Sequence, residues 1–132
     1  MTKVTLHTTE NLEKMVCRNE NGSEIVLGLK DQVGPMQAVL MAIAGCSTID
    51  IIMILQKMRQ EVIDIKVSVD GTRAEEHPKV YTHIQVHYTL YGKIKEAKAK
   101  EAIELSLEKY CSVSLMIAKS AEITSSFEVV PT

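Results

Sequence analysis

The chain has no Trp and a single Phe, Phe127, so aromatic rings cannot dominate its core. Ile, Leu, Val and Met must build it instead. Basic residues are not in excess: 15 Lys and Arg stand against 17 Asp and Glu, for a formal charge of −2. That balance leaves no electrostatic footprint for nucleic acid. There is no C-x-x-C pair, which removes the usual zinc and thioredoxin-like patterns. The first residues, "MTKVTLHTTENLEK", lack the charged-then-apolar layout of a signal peptide, so a cytoplasmic location is expected. Internal repeats, low-complexity tracts and linker composition are missing as well. At 132 residues, the expectation is one domain spanning 1–132.

What is present begins with short alternating segments. "KVTLHT", "LEKMVCR" and "EIVLG" predict three strands, the last two joined by a turn at Asn21-Gly22. Pro35 suits the first position of a helix, where its missing N–H costs nothing. From Pro35 to about Arg59 only Gly45 interrupts a helical run of roughly 25 residues, about 37 Å long. Ala38 to Leu55 is apolar nearly all round. Such a helix is long enough for a bilayer, but Cys46, Ser47, Thr48 and Asp50 at its centre favour burial inside protein. One chain of this size cannot wrap it alone, so a homodimer is expected. "DIKVSVDG" and "KVYTHIQVHYTLYG" form a hairpin, with Val80, Ile84, Val86, Tyr88 and Leu90 on the core face and Tyr81, His83, Gln85, His87 and Tyr91 on the other. "KIKEAKAKEAIELSLEKY" is an amphipathic helix that buries Ala99, Ala102, Ile103, Leu105 and Tyr110. "CSVSLMIAKS" continues as a second helical segment, and "EITSSFEVV" closes as a strand. The class is α+β, with antiparallel sheets and a long buried central helix.

Three cysteines, Cys17, Cys46 and Cys111, are an odd and widely spaced set. Cys46 shares its helix face with Val39, Ala42, Ile43, Ile49, Asp50 and Met53. Gly45 leaves room for another segment to approach, and the one carrying Cys111 is the candidate. Cys111 falls where one helix gives way to the next; N–H groups there would favour a thiolate. Asp50 would disfavour a thiolate at Cys46 if both faced one cavity. Arg18, the only arginine ahead of the long helix, is the candidate cation for that thiolate. From the residues alone, two buried cysteines are more often inert packing than a redox pair. His83 and His87 share a strand face without an acidic or thiol partner at suitable local spacing in the sequence, so they read as a solvated or interface face. Cys17 reads as structural, and the helix methionines as core filler.

Together, "GPMQAVLMAIAGCSTIDIIMILQKMRQ" and "LEKYCSVSLMIAKSAEI" resemble the two signature segments of the OsmC/Ohr family, the osmotically inducible and organic hydroperoxide resistance proteins. "EKYCSVSLM" points to the OsmC-like subgroup. The resemblance covers nearly the whole chain. It implies an OsmC-like fold and an intertwined homodimer with the active site at its interface. It also implies a thiol-dependent peroxidase acting on organic hydroperoxides in oxidative stress defence. Cys46 would attack the peroxide, Cys111 would resolve the sulfenic acid, and an external dithiol would restore both. No resident cofactor, metal, nucleic acid or membrane partner is implied. Peroxidase members carry a Glu early in the long helix that orients an Arg on the thiolate. Here those positions are Met36 and Gln37, so Gln37 would have to receive the guanidinium. Without that activation, the same chain would be a non-catalytic dimer binding a hydrophobic small molecule, or a redox switch.

Overall fold

The computed structural model describes residues 1–9 and 11–132. Their contacts gather into two units, Met1–Val39 and Leu40–Thr132. The first holds a three-stranded antiparallel sheet in the order β1-β2-β3: β1 (Thr5–Thr9), β2 (Lys14–Arg18) and β3 (Glu24–Gly28). The β2–β3 turn is tied by one side chain. Asn19 Oδ1 accepts from the N–H groups of Asn21 and Ser23, both at 3.0 Å, and Gly22 takes the left-handed φ of +83° that the turn requires.

Helix α1 (Pro35–Lys57) begins at the proline, as the sequence predicts. Gln37 closes its first turn: Oε1 accepts from the Gly34 N–H at 2.8 Å, a side chain at the third helical position reaching back to the residue before the helix. In the second unit, α1 contributes Ile43, Ser47, Ile51 and Leu55, one residue per turn, to the core; all four are fully buried. Within one chain the helix is not covered on every side. Met41, Ile49 and Met53 are each more than half exposed.

β4 (Glu61–Arg73) and β5 (Tyr81–Lys93) form the long antiparallel hairpin. Ile84, Val86, Tyr88 and Leu90 are fully buried, as the alternation predicts. Removing each from water contributes roughly 1.5–3 kcal/mol. The assignment of Val80 and Tyr81 is reversed: Tyr81 is buried and Val80 exposed. The cause is an irregularity between Thr72 and Arg73, where the partner skips from His83 to Tyr81. One extra residue shifts the pleat and turns Tyr81 inward.

β6 (Glu122–Val130) pairs with β5 in parallel, giving the order β4-β5-β6, so this sheet is mixed and not wholly antiparallel. The reason is the helical connection. α2 (Glu96–Leu105), a π-helical turn (Ser106–Tyr110) and α3 (Ser112–Ile117) carry the chain back to the end where β5 began. α2 buries Ala99, Ala102 and Ile103 as predicted, but Leu105 is only half-buried and Tyr110 is about half exposed. The π turn displaces it. A continued α-helix would have kept Tyr110 in phase with Ile103.

Candidate active site

Three elements of the second unit meet around Cys46. α1 supplies Cys46, Ser47 and Asp50. The π turn supplies Ser106 at its start and delivers Cys111 at its end. β5 supplies Tyr88.

Cys111 has left helical geometry, with φ −73° and ψ 105°. Its N–H donates to the Ser106 carbonyl at 2.6 Å, the five-residue step that defines the π turn. The sulfurs of Cys46 and Cys111 and a carboxylate oxygen of Asp50 all lie within 4.8 Å of one another. Cys111 is fully buried, whereas Cys46 and Asp50 are partly exposed.

Hydroxyls hold this cluster. Ser106 Oγ is 3.2 Å from the Ser47 carbonyl oxygen and 3.2 Å from Asp50 Oδ2, so its proton is shared between two acceptors. Tyr88 donates to Ser47 Oγ at 2.6 Å, and Ser47 donates onward to the Ala44 carbonyl at 3.3 Å. Ser114 binds the Cys111 sulfur twice, by its hydroxyl at 3.0 Å and its N–H at 3.4 Å. Burial first raises the Cys111 thiol above its ordinary value. The two Ser114 bonds oppose the shift, while a hydrogen bond to Cys46 and the charge there reinforce it. The expected favouring of a thiolate at this helix boundary is therefore outweighed by burial. Cys111 keeps its proton and serves as a donor toward Cys46. Burial also pushes the Tyr88 hydroxyl up to about 12, opposed by its Ser47 bond and aided by the nearby Cys111 and Asp50.

Beside Asp50 a cavity of about 530 Å³ opens between α1 and the π turn, walled by Met53, Ile54, Met58, Leu105 and Tyr110, with Lys57 at its edge. That volume suits a small organic molecule. A concavity of similar size along α2 is lined by solvated Lys and Glu side chains and offers no comparable chemistry.

The two candidate cysteines thus come together, joined by Asp50. The two candidate activating residues have other partners. Arg18 binds the Glu24 carboxylate through Nε and approaches His7 Nδ1 at 3.1 Å through Nη1. Gln37 caps its own helix. Gly45 does not admit the Cys111 segment: nothing lies within 4 Å of where its Cβ would be, and it opens onto the exposed side of α1. His83 and His87 bond Thr124 and Ser126 on the polar sheet face. Cys17 is paired within the small sheet, opposite Leu6 and Ile25. The sequence reading missed Ser47, Ser106 and Ser114. A signal existed at Ser47, since it interrupts the buried stripe Ile43–Ile51–Leu55. A hydroxyl on a core stripe requires a buried partner.

Residues 28–126 match the family model described as OsmC-like protein. Protein YhfA of Escherichia coli strain K12 is 50% identical over 97 residues, covering 73% of this chain and 72% of that protein. A crystal structure of a hypothetical protein from Aquifex aeolicus VF5 superposes with a TM-score of 0.92 at 38% identity, covering 100% of this chain and 98% of that one. The organic hydroperoxide resistance protein OhrB of Bacillus subtilis superposes with a TM-score of 0.66 at 14% identity, covering 97% and 98% of the two chains. At that identity the likeness shows the shared fold.

Proposed function

The chain belongs to the OsmC-like family, and from that premise we propose that it is a homodimeric thiol peroxidase for organic hydroperoxides, acting in oxidative stress defence in the cytoplasm. The observation that carries this reading is the meeting of Cys46 and Cys111, 65 residues apart in sequence, with sulfurs within 4.8 Å. In a reduced protein these sulfurs need only close to about 2.05 Å to bond.

Cys46 is the nucleophile. It is the more exposed of the two and receives the proton-bearing Cys111 as a neighbour. Its thiolate attacks the terminal oxygen of the hydroperoxide. The O–O bond breaks, the alkoxide leaves and is protonated to the alcohol, and Cys46 becomes a sulfenic acid. Cys111 then attacks that sulfur, and water leaves as the disulfide forms. An external dithiol restores both thiols by exchange, becoming a disulfide itself. The chemistry needs no resident cofactor. The apolar wall of Met53, Ile54, Met58 and Leu105 favours the organic group of an alkyl or aryl hydroperoxide over hydrogen peroxide.

The test is rapid-mixing consumption of cumene hydroperoxide by the reduced protein, followed by mass spectrometry. Fast consumption with a Cys46–Cys111 disulfide is expected. Cys46→Ser should abolish turnover, while Cys111→Ser should consume one equivalent and leave a sulfenic acid on Cys46 that dimedone traps. Slow consumption with both thiols still reduced would overturn the reading.

A further inference from the structure

We propose that the reduced cluster of Cys46, Cys111 and Asp50 is a binding site for a thiophilic divalent metal ion of the zinc class, and that joining the two sulfurs expels the ion. This inference does not rest on peroxide reduction, since any thiol oxidant would close the same bond.

The geometry points to it in several ways. Two sulfurs and one carboxylate oxygen, all within 4.8 Å of one another, are three protein ligands of suitable type. Around a tetrahedral zinc ion, with Zn–S about 2.3 Å and Zn–O about 2.1 Å, the ligand atoms would stand about 3.6–3.8 Å apart. The observed limit is met by contractions of about 1 Å, within the reach of side-chain torsions. The outer supports are in place. Ser106 holds the Asp50 carboxylate at 3.2 Å, and Ser114 orients the Cys111 sulfur. Hydrogen bonds of this kind fix ligand orientation around metals. The ligands are spread over two elements, α1 and the end of the π turn, which makes the site sensitive to fold. The cavity that Asp50 lines gives an ion a path to its carboxylate.

Charge supports the same conclusion. Asp50 stands beside the two thiols. A divalent ion would balance the negative charge of Asp50 and of the thiolates formed on binding, and two protons would leave as the thiols bind it. With an organic hydroperoxide as oxidant, the bound dithiolate gives up two electrons. The hydroperoxide takes them with two protons to become alcohol and water, the disulfide forms, and the ion departs with its charge intact.

The experiment is an anaerobic titration of the reduced full chain with Co²⁺, followed by displacement with Zn²⁺ against a chromophoric chelator. One Co²⁺ per chain is expected, with a thiolate-to-cobalt charge-transfer band and the intense visible bands of a tetrahedral site. Both signals should vanish in Cys46→Ser and in Cys111→Ser, and after oxidation by diamide or hydroperoxide. Asp50→Asn should weaken binding, and Ser106→Ala, which leaves all three ligands intact, should weaken it by about 10–100-fold. Near-ultraviolet circular dichroism of each variant establishes that it is folded. Absence of the charge-transfer band at saturating cobalt would overturn the proposal, as would a cobalt affinity indifferent to both Asp50→Asn and Ser106→Ala. Cobalt binding without hydroperoxide turnover would sink only the peroxidase reading, and turnover without cobalt binding would sink only this inference.

Discussion

At the scale of single residues, the cluster is governed by which atoms carry protons. Cys111 is raised by burial, so half of it becomes thiolate only above the ordinary cysteine range near 8.5. Closure of the disulfide should therefore accelerate as pH rises through the alkaline range. Ser114→Ala removes the hydroxyl bond that opposes the shift, so closure should slow at neutral pH and its profile should move further alkaline. Stopped-flow tryptic mass mapping after one equivalent of hydroperoxide checks both statements. Tyr88 offers a separate handle on stability. The unfolded chain gives up the tyrosine proton near 10, the folded chain near 12. Between those values the folded form holds more protons, so this contribution to stability is whole below 10 and is lost as pH climbs toward 12. Tyr88→Phe should cost about 1 kcal/mol at neutral pH through the lost bond to Ser47. It should also flatten the alkaline fall in stability, measured by urea unfolding at a series of pH values. The two cysteines were legible because their segments resemble a family signature. The serines were not, because a hydroxyl leaves no periodic trace; only its burial, known after folding, makes its partner obligatory.

At the scale of elements, α1 and the π turn divide the work. α1 presents one fully buried stripe at four-residue spacing. Ile51→Ala should cost about 2–5 kcal/mol, read as a lower denaturation midpoint. The π turn sets where Cys111 points. Deleting Leu107 would remove the extra residue and rotate everything after it by about 100°. The expected result is a folded second unit whose cysteines no longer join on oxidation, seen as two free thiols by mass spectrometry. The sequence made α1 visible through Pro35 and its unbroken apolar run, and made α2 visible through its amphipathic period. It concealed the π turn, since "SLEKY" has good helix formers and no Gly or Pro. The inward Tyr81 was concealed for a similar reason: a bulge is a property of two paired strands, not of one.

At the scale of the whole molecule, the apolar side of α1 is where the proposed dimer would form. Met41, Gly45, Ile49 and Met53 follow one another at one-turn intervals on the exposed side of this apolar helix. A second copy laid along this stripe would cover it. Ile49→Asp should convert a dimer to a monomer in sedimentation velocity; a wild-type protein that sediments as a monomer would refute the expectation. The closeness of the two sulfurs carries a further meaning, in terms of chain entropy. A bond between residues 46 and 111 would close a loop of 65 steps. Loop closure of that length withdraws about 4 kcal/mol worth of freedom from the unfolded chain. The spent form would then be the sturdier molecule and the reduced form the more easily unfolded one, so a simple melting curve would report how much of the protein is waiting for its reductant.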